Sequence, residues 1–144
     1  MTARMVRVER LIRRADEALG AARSASSRGA RAVEEARDRV ETDERAWSNH
    51  AQRFGTGVTR ATDLDEQAAH LRTLRLRADA AARLLDRAVA EQRTCAAAVV
   101  KAAMELRKLE LWRDRIVQGE REEENRRSQR SSDELAARAA RTRP

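Results

Sequence analysis

The chain has 144 residues and a net charge of +7, with 38% charged residues but only two Trp, one Phe and no Tyr. That composition excludes a sizeable globular core, and the apolar fraction of 41% is mostly alanine. Alanine, arginine and glutamate in excess are the composition of long helix. Low hydropathy and high charge also mark disordered chains, but disorder does not hold apolar residues in a seven-residue register. One cysteine, Cys95, excludes an intrachain disulfide and suits a reduced cytoplasm. The longest apolar run, Cys95 to Val100, is far short of the roughly 20 residues that span a bilayer. Residues 1–33 carry eight Arg against three acids, as a transit peptide does, but they continue the heptads that follow and read as mature protein.

Along the first helix, Met5, Ile12, Leu19, Ser26, Val33, Val40, Trp47 and Phe54 recur every seven residues. Three residues after each of the first seven come Val8, Ala15, Ala22, Gly29, Ala36, Asp43 and His50. Alternating steps of three and four define the a and d positions of a coiled-coil seam, here predicted over 3–54. Gly55-Thr56-Gly57 then breaks the helix, since both glycines tolerate positive φ. The turn is expected over 55–62, and a capping box from Asp63 to Glu66 is expected to restart the helix.

The second seam runs Leu64, Leu71, Ala78, Leu85, Gln92, Val99, Leu106, with Gln67, Leu74, Ala81, Ala88, Cys95, Ala102, Leu109 and Ile116 three residues later. Paired helices of about 50 residues each, or about 75 Å at 1.5 Å per residue, joined by a short turn make a hairpin. The expected fold is therefore all-α: two long helices forming one antiparallel coiled-coil hairpin. Residues 118–144 form a C-terminal helical extension, in which Ser131 to Glu134 is either a second capping box or part of one continuous helix. Matching large with small residues across the seam selects the register in which facing numbers sum to 121. Leu19 then meets Ala102, Val33 meets Ala88, Val40 meets Ala81, and Ala36 meets Leu85.

No catalytic, cofactor-binding or metal-binding constellation is recognisable, so an enzyme is not expected. His50 and His70 are the only histidines, and His50 on the seam reads as a core histidine near a helix end. The net charge raises nucleic acid as a partner, but acid and base alternate along most of the chain and aromatics for base stacking are missing. The outward f positions of the second helix include Leu76, Met104 and Leu111, beside Val100 and Trp112, whereas those of the first helix are polar. This second stripe is either a partner surface or alanine-rich tolerance with scattered apolar side chains.

The run Leu109-Glu-Leu-Trp112, then Glu122 to Arg127, Gln129 and Asp133 to Arg141, resembles the tail of the FliJ-like and YscO-like proteins of flagellar and virulence type III secretion. The resemblance implies a small antiparallel coiled coil, similar to the central stalk of rotary ATPases, that sits in a hexameric export ATPase and links it to the export gate of the inner membrane. It implies a cytoplasmic place beside that apparatus, secretion chaperones as further partners, and no small-molecule substrate. On this reading Arg4, Arg7, Arg10, Arg13, Arg126, Arg127, Gln129, Arg138 and Arg141 face the ATPase. The chain lacks the tyrosines of the flagellar gate-binding region, and Trp47, Phe54, Leu71 and Leu74 are the nearest apolar candidates for that contact. A coiled-coil adaptor or chaperone would share the fold without the ATPase, and a basic helical hairpin on nucleic acid is the third reading.

Overall fold

A computed structural model describes residues 2–142; the last two residues of the expected C-terminal extension lie outside them. Helix α1 (Ala3–Gln52) and helix α2 (Ala61–Arg141) pack against each other, antiparallel, as an all-α helical hairpin. There is no strand among the described residues, and none of the helices is long and apolar enough to cross a membrane.

The chain divides into two compact units. One comprises Met1–Leu19 with Lys101–Pro144, the other Gly20–Val100. In the first, Val8, Leu19 and Ile116 are buried, all of them seam residues, and Met5, Ile12, Leu106 and Leu109 are half-buried beside them. Thr2 caps α1 by accepting the Met5 N–H at 3.3 Å, and its own hydroxyl donates to Glu120 Oε1 at 2.7 Å. The cap thus satisfies one of the orphan N–H groups of the helix start and ties that start to α2.

In the second unit Val33, Leu74, Ala78 and Ala81 form the apolar core. The expected register is borne out at Gly29 and Gln92. A Cβ on Gly29 would lie 3.7 Å from the Gln92 Cα and fall on its side-chain oxygen. The cross-helix pairs Asp43–Arg77, Glu44–Arg75 and His50–His70 agree with this register to within two residues. Close approach of the two backbones is what alanine and glycine layers permit.

Two of the polar seam positions of this unit, Asp43 and Gln92, sit within its core. Asp43 is buried, with Arg77 Nη2 at 3.8 Å, an ion pair beyond hydrogen-bonding distance. Gln92 donates from Nε2 to Ser26 Oγ at 3.3 Å, while its Oε1 is buried without a partner. A buried unpaired carbonyl costs about 1–3 kcal/mol. Gln92→Met, which keeps the length of the side chain and removes the amide, is therefore expected to raise stability by about 1 kcal/mol in urea unfolding. Gly29→Ala gains about 1 kcal/mol of helix propensity, but only when Gln92 is shortened too; alone it drives its Cβ into Gln92 Oε1. The double variant with Gln92→Ala should accordingly be more stable than the two single effects added together.

The turn departs from expectation in three places, each with a local cause. Helix α1 ends at Gln52 rather than at residue 54, tightening through Arg53 N–H to His50 O and Phe54 N–H to Ala51 O. Phe54 therefore lies in the turn and is 45% exposed. Helix α2 begins at Ala61, two residues early, and Asp63 is not the cap itself. Its Oδ2 reaches back to accept the Arg60 N–H at 3.0 Å, the Thr59 hydroxyl at 3.0 Å and the Thr59 N–H at 3.3 Å. This is the reciprocal half of a capping box, with the acid in the first turn where the helix dipole favours it. The Thr59 hydroxyl, then the Thr59 and Arg60 amides, hold the Asp63 carboxyl below its ordinary range. The cap therefore contributes stability above the unfolded carboxylate range and loses it as pH falls through the lowered value. Gly55 and Gly57 have φ of 82° and 71°, the left-handed conformation that non-glycine residues disfavour.

Beyond Val117, α2 continues unbroken through Ser131 and Ser132 to Arg141, so the extension is one helix without a second start. Every residue from 118 to 142 is exposed. Arg127 pairs with Glu123 at 3.7 Å and Arg126 Nε donates to the Glu122 carbonyl at 3.3 Å, local contacts that support a polar helix.

Candidate functional site

The first unit gathers basic side chains around an exposed aromatic ring. Trp112 is 39% exposed. It borders one open groove with Arg4, Arg115, Glu123 and Arg126, and a second with Ala3, Arg4 and Arg7. Antiparallel pairing explains the grouping, since it brings the first turns of α1 beside residues 112–126 of α2. Two acids share the first groove, and Glu120 is occupied by the Thr2 hydroxyl. Glu123 pairs with Arg127 at 3.7 Å, which leaves an indole flanked by guanidinium groups, a side-chain type able to pair bidentately with carboxylates and to stack on aromatic faces.

Arg10 and Arg13 are exposed on the same stretch of α1. Arg113, on the seam and half-buried, bonds Asp114 Oδ1 through Nε at 3.1 Å and Nη2 at 3.0 Å. The Asp114 carboxylate, with support from Glu9 and Glu110, raises its hold on the proton. Gln129, Arg138 and Arg141 lie on the exposed extension, away from the lining of the groove. The Arg138 carbonyl accepts from the Thr142 N–H and hydroxyl, both at 3.2 Å, so Thr142 closes this end of α2.

The apolar partner candidates separate into accessible and inaccessible ones. Leu76, Met104 and Leu111 are 67%, 58% and 43% exposed, as f positions should be. Leu74, grouped with the candidates for partner contact, is buried in the seam; its d position packs the hairpin and leaves it no outward face. Trp47 is half-buried under Arg75, whose guanidinium lies 5.0 Å from the ring centroid, a cation–π clamp between the helices. Phe54 and half-buried Leu71 border a cleft beside the turn.

Two residues near that turn act differently from their heptad positions. His50 is exposed rather than packed in the core: it lies two residues before the end of α1, with its ring 4.7 Å from that of His70. Gln67, nominally a d position, spends its amide on the turn: its Oε1 accepts the Gly55 N–H at 2.8 Å and its Nε2 donates to the Thr56 carbonyl at 3.2 Å. The sequence signal for this was a polar residue at the first d position after the two-glycine break.

Among the described residues no three His, Cys, Asp or Glu side chains cluster as a metal site would require. The architecture defines the class, an all-α helical hairpin with a basic, tryptophan-centred patch in one unit. No protein-family model, curated protein or solved structure matches this chain.

Proposed function

We propose that this chain is a non-enzymatic central stalk of a type III secretion export apparatus, binding the hexameric export ATPase and coupling it to the cytoplasmic part of the export gate. What supports the reading is the grouping of Arg4, Arg7 and Arg126 around exposed Trp112, beside the resemblance of residues 109–112, 122–129 and 133–141 to the tails of stalk proteins. A stalk has to be stiff and to carry partner surface, and two continuous helices with an exposed basic patch supply both. Acidic groups of the ATPase are the natural counterpart of the arginines, because paired charges of opposite sign steer association and set register.

A pull-down with a purified hexameric secretion ATPase tests the assignment. Retention of the chain is expected. Failure to bind, with helicity intact by circular dichroism, would leave the adaptor reading, and salt-sensitive binding to duplex DNA of any sequence would favour the nucleic-acid one.

The exposed f positions provide a second prediction. Met104→Glu together with Leu111→Glu should leave the helical signal unchanged, since neither side chain belongs to the seam, yet weaken partner binding at least about tenfold by placing charge in an apolar contact. Affinity titration of wild type and variant checks it. Equal affinity would return the stripe to mere tolerance of exposed apolar side chains.

A further inference from the structure

Beside the turn of the second unit, two imidazoles from different helices meet. His50 of α1 and His70 of α2 have ring centroids 4.7 Å apart with planes tilted by 59°, and both side chains are exposed. His50 Nδ1 lies 3.0 Å from the Ala46 carbonyl oxygen. A carbonyl can only accept, so Nδ1 is the donor, and in the neutral ring Nε2 is the nitrogen left with a lone pair. Metal-ligating histidines are oriented in this way, one nitrogen donating to a carbonyl while the other faces the ion.

The spacing fits the same chemistry. A metal–nitrogen bond of about 2.0–2.1 Å, with about 1.1 Å more to the ring centre, puts each centroid about 3.2 Å from the ion. Two rings converging at angles between octahedral and tetrahedral then have centroids about 4.5–5.2 Å apart, an interval that contains the observed separation.

We propose that His50 and His70 form a two-imidazole site for a divalent transition ion of the Zn(II) or Ni(II) type, which imidazole ligands suit. Water completes the coordination, since among the described residues no third ligand of the His, Cys, Asp or Glu type joins the pair. The Gln67 oxygen beside it is already committed to the turn. Bound there, the ion clips the last turn of α1 to the third turn of α2 and reinforces a junction also held by the Gln67 amide. Arg53 lines the same cleft, and its charge opposes the cation.

The test uses the full chain with Cys95→Ser, which removes the only thiol, titrated calorimetrically with Zn(II) and with Ni(II) at pH 7.5. One ion per chain and a raised melting temperature are expected. His50→Ala and His70→Ala should each lower affinity by at least about tenfold, the lower bound seen for losing even an outer-shell partner. Arg53→Gln should tighten binding, and lowering the pH should weaken it, since protons compete with the ion for imidazole nitrogen. Nitrogen NMR of the chain with both histidines intact guards against misfolded variants: both rings must shift together on titration. Absence of binding by either ion, binding that survives either substitution, or a shift confined to one ring would overturn the proposal.

Discussion

Reversing Arg7, Arg10 and Arg13 together to Glu is expected to abolish binding and stimulation of a hexameric secretion ATPase while leaving the chain as helical as before. All three side chains are exposed, and the seam residues between them, Val8 and Ile12, are untouched. All three lie beyond the first turn of α1, so the helix dipole neither favours nor opposes glutamate there. At a partner surface the balance inverts. Each charge-assisted hydrogen bond lost is worth about 1.5–3 kcal/mol, and each new like-charge contact adds a penalty of several kcal/mol. Three such sites together exceed the roughly 8 kcal/mol that holds a micromolar complex. Unchanged stimulation by the triple variant would mean that the arginines only solvate the helix.

Ser26→Cys is expected to form a disulfide with Cys95 within one chain under mild oxidation at low protein concentration. The two residues face each other in the register that pairs Gly29 with Gln92, and both are half-buried on the seam. Ser26 Oγ already receives the Gln92 amide at 3.3 Å, which puts this turn of α1 against the correct turn of α2. Disulfides require Cα separations of about 4.4–6.8 Å, which layers of small residues approach with minor adjustment. Val33→Cys is the control, because it faces Cys95 only after a seven-residue slip and should stay reduced. Faster bridging in the control would refute the register, and bridging only between chains would mean that the helices pair between molecules.

The seam was legible because its spacing is a physical necessity: only side chains recurring at three and four residues lie on one face of a helix. All the buried residues, from Val8 to Ile116, fall on it, buried Asp43 included. Register was legible through volume, since glycine at residue 29 can be overlaid only by a neighbour whose side chain fills the space it leaves. The turn was legible in its glycines but not in its polar details. Asp63 and Gln67 take roles fixed by where the helices stop, and helix ends shift by a residue or two with local hydrogen bonding. His50 and Leu74 show the same limit from opposite sides, one exposed near the end of its helix and the other buried in the seam. The resemblance grouped Arg4, Arg7 and Arg126, but Trp112 at their centre could not be read along the chain, because Arg4 and Arg126 line one groove with it only once the hairpin closes.

The rate of ATP hydrolysis by a purified cognate secretion ATPase, measured as this chain is added, tests the proposed coupling role most directly. A saturable rise that disappears with the triple arginine reversal is the predicted result. A flat rate at saturating chain, with no co-sedimentation of the two proteins, would contradict it.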